Sequence, residues 1–202
     1  MKNGYDHIVF DLGNTLIRFD HNISANKIAK VSRFDAKKIY DTFFDSDITR
    51  PFERGAITPL EFYKRISEHL GLSLPFGAFT DIWNDIFAAD DGMCALAREL
   101  KKRYKLILLS NINELHFEFI RKKFSIVGIF DELVLSYQVG AIKPERKIYD
   151  EVIRAAGGKR EGIFYIDDRE DLVKAAIDIG IDSTKFEDIG KLRDVMENKG
   201  IL

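Results

Sequence analysis

The chain holds a single cysteine, Cys94, so neither an internal disulfide nor a cysteine-rich metal site can organise it. It also lacks a charge of one dominant sign. Across 202 residues, 31 Lys and Arg stand against 33 Asp and Glu, and a formal net charge of −2 gives no support to nucleic acid or an anionic membrane as partner. The N-terminus reaches its first apolar run within ten residues, and that run is far too short for a signal peptide or a membrane span. These absences make a cytoplasmic enzyme or binding protein the expectation. There is no internal repeat or low-complexity tract, and no Gly-x-Gly-x-x-Gly follows the first apolar run, which excludes a dinucleotide-binding turn. What remains is an ordinary globular composition, 46% hydrophobic, long enough for one good core with a smaller inserted subdomain.

The stretch Ile8-Val9-Phe10-Asp11-Leu12-Gly13-Asn14-Thr15-Leu16 says most about function. An apolar run ends at an acid, and a loop of Gly, Asn and Thr follows. That places a carboxylate at the C-terminal tip of a buried strand, where open α/β sheets bind ligands. Three later segments repeat the pattern: Leu106 to Leu109 ends in Ser110-Asn111, Leu133 to Leu135 leads to Lys143-Pro144, and Gly162 to Ile166 ends in Asp167-Asp168. Singly, each has a bland reading as turn chemistry, a solvated loop pair or a helix start. All four in chain order point to chemistry on a phosphate with a metal. Asp11 is placed to act as a nucleophile that forms an aspartyl-phosphate. A dianionic phosphate repels a carboxylate, so Mg²⁺ and Lys143 must offset the charge. Asp167 and Asp168 offer hard oxygen ligands for that ion. Ser110 and the Asn111 backbone N–H can donate to phosphoryl oxygens, aided by a following helix start.

Between the first and second of these segments the pattern turns helical, over Ile23 to Val31, Ala36 to Phe44, Pro59 to Leu70 and Phe76 to Phe87. Thr58-Pro59-Leu60-Glu61 reads as a helix start and Gly71 as its stop. From Met93 strands and helices alternate, with helices at Met93 to Arg103, Leu115 to Phe124, Glu145 to Ala156, Leu172 to Ile179 and Ile189 to Asn198. Such alternation predicts a parallel sheet with crossover helices. The expected organisation is an α/β core of residues 1–18 and 90–202, with a helical cap of residues 19–89 placed to act as a lid.

Together these segments resemble the haloacid dehalogenase superfamily of hydrolases, most of whose members are Mg²⁺-dependent phosphatases. The resemblance covers nearly the whole chain, including a helical cap between the first and second motifs. It implies a Rossmann-like three-layer α/β sandwich with a parallel sheet and an inserted all-helical cap. Asp11 matches the first Asp of the family's Asp-x-Asp-Gly-Thr motif and would be the nucleophile. Ser110 matches the second motif, Lys143 the third, and Asp167 with Asp168 the fourth. The implied metal ligands are Asp11, Asp168 and the Gly13 backbone carbonyl, with Asp167 and Asp171 as acids behind them. The implied ligand is a small phosphorylated metabolite; a monomer and a homodimer fit equally.

One departure stands out. The family's second Asp, acid for the leaving group and base for the attacking water, is Gly13 here. General acid–base help is usually worth about 10²–10⁴-fold. Its loss leaves three explanations open: a substrate with a good leaving group, a replacement acid from the cap (His21, Glu53 or Asp20), or a protein that binds phosphorylated ligands with little turnover. Asp11-Leu12-Gly13-Asn14 and Ser110-Asn111-Ile112-Asn113 resemble a subgroup that includes sugar-1-phosphate phosphatases, which favours the first. Glu53-Arg54-Gly55 resembles the cap loop that reaches the active site in the family. Arg54 is therefore a candidate for holding a substrate oxygen and His21, near the hinge, for facing the site; a surface arginine and a solvated loop histidine are the plain readings. His69 and His116 receive no role. Trp83 with Phe43, Phe44, Phe62, Phe79 and Phe87 is expected to form the cap's own core. A receiver domain would carry its acid pair after the first strand, and a dehalogenase proper would need no metal. Neither fits. The competing class is a non-catalytic phosphate-ligand binding or regulatory protein, favoured by Gly13 and opposed by the presence of Asp11, Lys143 and Asp168.

Overall fold

The strand segments Ile8 to Phe10, Leu106 to Leu109 and Ile163 to Ile166 are apolar at odd and even positions alike, the pattern of a sheet covered on both faces. In the computed structural model, which describes residues 4–43 and 46–202, β1 (His7–Phe10) and β2 (Ile17–Phe19) come first. They are followed by α1 (His21–Ala29), α2 (Ala36–Phe43), α3 (Thr49–Glu53), α4 (Pro59–Leu70) and α5 (Phe76–Asn84), then β3 (Phe87–Ala89). The second part runs α6 (Asp91–Leu100), β4 (Lys105–Ser110), α7 (Glu114–Lys123), a 3₁₀ turn (Ser125–Ile129), β5 (Glu132–Leu135), α8 (Ser136–Val139) and α9 (Arg146–Ala155). It closes with β6 (Ile163–Asp167), α10 (Glu170–Asp178), β7 (Asp182–Lys185) and α11 (Ile189–Asn198).

Five strands form one parallel sheet in the order β5-β4-β1-β6-β7, with β1 in the middle and its neighbours reached by crossovers in opposite directions. That is a topological switch point, and it lies beside the tip of β1. The pleat sorts side chains by parity. Ile8, Phe10, Leu106, Leu108, Phe164 and Ile166 pack on one face with residues of α6, α7 and α11. Val9, Ile107, Leu109, Ile163 and Tyr165 pack on the other with α9 and α10. The three-layer α/β sandwich expected from the sequence is the observed fold. No helix among the described residues is long and apolar enough to cross a membrane.

Helices α1 to α5 bury an apolar cluster of their own, which includes Phe43, Phe62, Phe79 and Trp83 as expected. Phe87 departs from that expectation. It sits on β3 and packs partly buried against the core cluster instead; Phe44 lies outside the described residues. The helix at Pro59 begins and ends as its sequence indicates. Thr58 and Glu61 close a capping box, and Gly71 takes the left-handed conformation at φ 64°. The insertion is not wholly helical. An antiparallel pair, β2 with β3, joins it to the core, and the expected boundaries near residues 18 and 90 fall in and beside that pair. Three residues per strand are too few for an alternation signal, so Phe87, the first residue of β3, reads from sequence as the end of a helix.

Candidate active site

Asp11 extends the central strand by one residue, its N–H still bonded to the Ile166 carbonyl at 2.9 Å. By parity Asp11, Tyr165 and Asp167 project from the face that carries Val9 and Leu109. Lys143 reaches them from the loop after α8, which Gly140 turns at φ 69°. The lysine is buried. Its Nζ donates to Asp11 Oδ1 at 2.6 Å and to Asp167 Oδ2 at 2.7 Å, with the Tyr165 hydroxyl at 3.2 Å. Asp167 is committed within the protein: Tyr165 also donates to Oδ2, and the Arg169 N–H donates to Oδ1 at 2.9 Å. Asp168 follows, half-buried. One carboxylate oxygen from each of Asp11, Asp167 and Asp168 lies within 4.8 Å of the others.

Three carboxylates face one ammonium here, a formal excess of two negative charges. Burial pushes the Asp11 carboxyl up, and the charges of Asp167 and Asp168 add to that against the pull of Lys143. Burial, then Asp167, also raises Asp168. Burial alone would lower Lys143, but Asp11 and Asp167 outweigh it and hold it protonated. An excess charge of two, on hard oxygens, suits a divalent cation such as Mg²⁺.

Ser110, buried, is the last residue of β4. The side chain of Asn111 is tied to Lys143 at both ends: Nδ2 donates to the Lys143 carbonyl at 3.0 Å, and the Lys143 N–H donates to Oδ1 at 2.7 Å. This clasp was not legible in the sequence, because the two residues are 32 positions apart. Tyr165 was also missed, although a hydroxyl in the run Ile163-Phe164-Tyr165-Ile166, on the parity of Asp167, was a usable signal.

A family model described as haloacid dehalogenase-like hydrolase matches residues 5–180. The chain belongs to the haloacid dehalogenase-like hydrolases. It is 25% identical over 188 residues to a D-ribitol-5-phosphate phosphatase of Bacteroides thetaiotaomicron, covering 90% of this chain and 91% of that one. A sesquiterpene phosphatase of Aspergillus oryzae is 25% identical over 175 residues, 86% of this chain and 85% of that one. Among solved structures, a HAD family enzyme from Bacteroides thetaiotaomicron, in complex with magnesium and inorganic phosphate, superposes with a TM-score of 0.84 at 29% identity. That match covers 94% of this chain and 99% of the other.

The remaining candidate residues of this hydrolase have surroundings of their own. Asp171 is exposed and paired with Arg169, so it is not among the clustered carboxylates. Arg54 spans from the helical insertion to the core, where it pairs with Glu145, two residues past Lys143. His21 is not a solvated loop residue. It opens α1, and its ring sits 5.1 Å from Phe19 and 6.2 Å from His116; burial lowers its pKa, so it is neutral near pH 7. The Asp20 carboxylate caps α1 by accepting from the Asn22 N–H. Gly13 lies against Phe19, and a Cβ at residue 13 would fall 2.8 Å from Phe19 Cε1.

Proposed function

We propose that this hydrolase is a Mg²⁺-dependent phosphatase of a small phosphorylated metabolite that works through an aspartyl-phosphate on Asp11. The observation that carries this reading is the buried array of Lys143 between Asp11 and Asp167, with Asp168 alongside. Lys143 aims Asp11 as a nucleophile and favours its ionised form against the burial that raises its carboxyl. One Asp11 oxygen attacks phosphorus, and the ester oxygen departs with the bonding pair. Water then attacks the acyl-phosphate, releasing inorganic phosphate and restoring Asp11. Ser110 and the Asn111 N–H donate to the equatorial oxygens. Mg²⁺ would be held by Asp11, Asp168 and the Gly13 carbonyl, and when bound it neutralises charge on the phosphoryl group. Residues 19–89 act as a cap over a core of 1–18 and 90–202, with Arg54 and His21 on its inner side.

No side chain at residue 13 can protonate the leaving oxygen, which favours anomeric, aryl or acyl phosphates, a sugar-1-phosphate first among them. The similarity to a D-ribitol-5-phosphate phosphatase supports a sugar- or polyol-sized substrate, though that ester leaves from a primary carbon. A panel that pairs p-nitrophenyl, acyl and sugar-1-phosphates with primary alkyl phosphates separates the cases. Mg²⁺-dependent release from the good leaving groups alone supports the reading; equal rates on sugar-1- and sugar-6-phosphates would sink the leaving-group part. Silence across the panel with ligands still bound would favour a binding protein, the second reading that Gly13 supports. Asp11→Asn is expected to lower turnover at least about 10³-fold while Mg²⁺-dependent binding of inorganic phosphate, followed by calorimetry, persists.

A further inference from the structure

The loop that carries Arg54 is fastened to the segment that carries Lys143, and the fastening goes deeper than an ion pair. Arg54 donates through Nη1 to Glu145 Oε2 at 3.0 Å and through Nη2 to Oε1. Gly55, at φ 66°, lies so near residue 137 that a Cβ would fall 2.0 Å from the Tyr137 carbonyl oxygen. Beside these contacts sits Ser136, fully buried at the start of α8. Its Oγ accepts from the Ile112 N–H at 2.9 Å. Two carbonyls lie within reach of its own proton, Glu53 at 2.6 Å and Ile112 at 2.9 Å. A hydroxyl carries one proton, so the two carbonyls compete for it.

Glu53 directly precedes Arg54, and Ile112 lies two residues past Ser110. We propose that Ser136 is a positioning residue that sets the register of the loop Glu53–Gly55 against the loop Ser110–Ile112. Its proton passes from the Glu53 carbonyl to the Ile112 carbonyl when the Glu53–Gly55 loop lifts. A buried hydroxyl left without an acceptor is costly. The second carbonyl removes that cost on the core side, so the loop can leave and return without orphaning the serine. The partly exposed Arg54–Glu145 pair adds modest hold, which leaves the buried hydroxyl to set the register. The functional meaning rests on Ser110 and Asn111 being the phosphate-binding loop; the coupling of the two loops does not.

Amide hydrogen exchange on the full chain, with and without Mg²⁺ and inorganic phosphate, tests the coupling. Ser136→Ala is expected to speed exchange at Ile112 and across residues 54–56 together, by about tenfold or more, the factor for one ordinary hydrogen bond. Arg54→Gln is expected to loosen 54–56 and leave Ile112 as protected as in the parent protein. In turnover of p-nitrophenyl phosphate, Ser136→Ala should lower kcat and raise KM. Ser136→Thr, once shown to melt with the parent, should recover kcat because it keeps the hydroxyl. Loosening of one segment alone in Ser136→Ala, loosening of both in Arg54→Gln, or no recovery by a folded Ser136→Thr overturns the proposal. The exchange pattern needs no turnover, so its failure is distinguishable from failure of the phosphatase reading.

Discussion

Residue 13 has no side chain, and Phe19 fills the space that one would take. The Phe19 ring is held edge-on to His21 and Phe87, so it does not swing away freely. Restoring a carboxylate at this position therefore takes two changes. Gly13→Asp alone is expected to lower p-nitrophenyl phosphate turnover and add nothing on alkyl esters. Gly13→Asp with Phe19→Ala is expected to raise kcat/KM on a sugar-6-phosphate by about 10²-fold, the low end of general acid help. An equal gain from Gly13→Asp alone would show that the ring is no obstacle.

At the scale of elements, local rules account for most of what forms. The capping box at Thr58 starts α4 from residues three apart, and Gly71 stops it. Thr58→Ala is expected to cost about 1 kcal/mol of stability, read as a lower urea midpoint with an unchanged slope. The start of α7 mixes local and distant contacts. Asn113 caps it by accepting from the His116 N–H, and Asn113 Nδ2 lies 3.1 Å from His116 Nδ1. His116 Nε2 lies 3.2 Å from the Trp83 carbonyl on α5. A carbonyl only accepts, so Nε2 carries the proton and Nδ1 accepts from Asn113. The histidine left without a role in the sequence reading is thus the joint between α7 and the helical insertion, stacked 4.7 Å from the Trp83 ring.

For the whole molecule that joint has a pH consequence. Burial first, then His21, lowers the His116 pKa to about 3. The unfolded chain takes up a proton near the ordinary value of about 6.5, while the folded chain refuses it. Stability from this group is therefore full above about pH 6.5 and falls as pH drops toward 3, by up to about 1.4 kcal/mol per pH unit. The groups facing it are Asn113, Trp83 and Phe87, which are neutral, and His21, which opposes its charging and whose own pKa is lowered in the same sense. Asp11, raised by burial, acts in the opposite sense, so the comparison is with His116→Gln. Urea midpoints measured from pH 7.5 to 4.5 are expected to fall more steeply for the parent chain than for the variant. Parallel slopes would remove His116 as the cause.

The sequence by itself determined the class of the fold, the four polar strand tips and their order along the chain. Each depends on residues within a few positions of one another: an apolar run, the acid or hydroxyl that ends it, the cap that starts the next helix. It also determined the family, because Asp11, Ser110, Lys143 and the pair Asp167-Asp168 recur at matching places. Only the tertiary structure decided how these groups divide their work. Lys143 meets Asp11 across 132 positions and is gripped by Asn111. Asp171, close in sequence to the acid pair, turns away to Arg169, while Ser136 joins two loops that no local pattern connects. Periodicity within an element says which face a residue occupies. Which loop that face meets depends on crossovers that pack distant segments side by side, and local patterns carry no record of them.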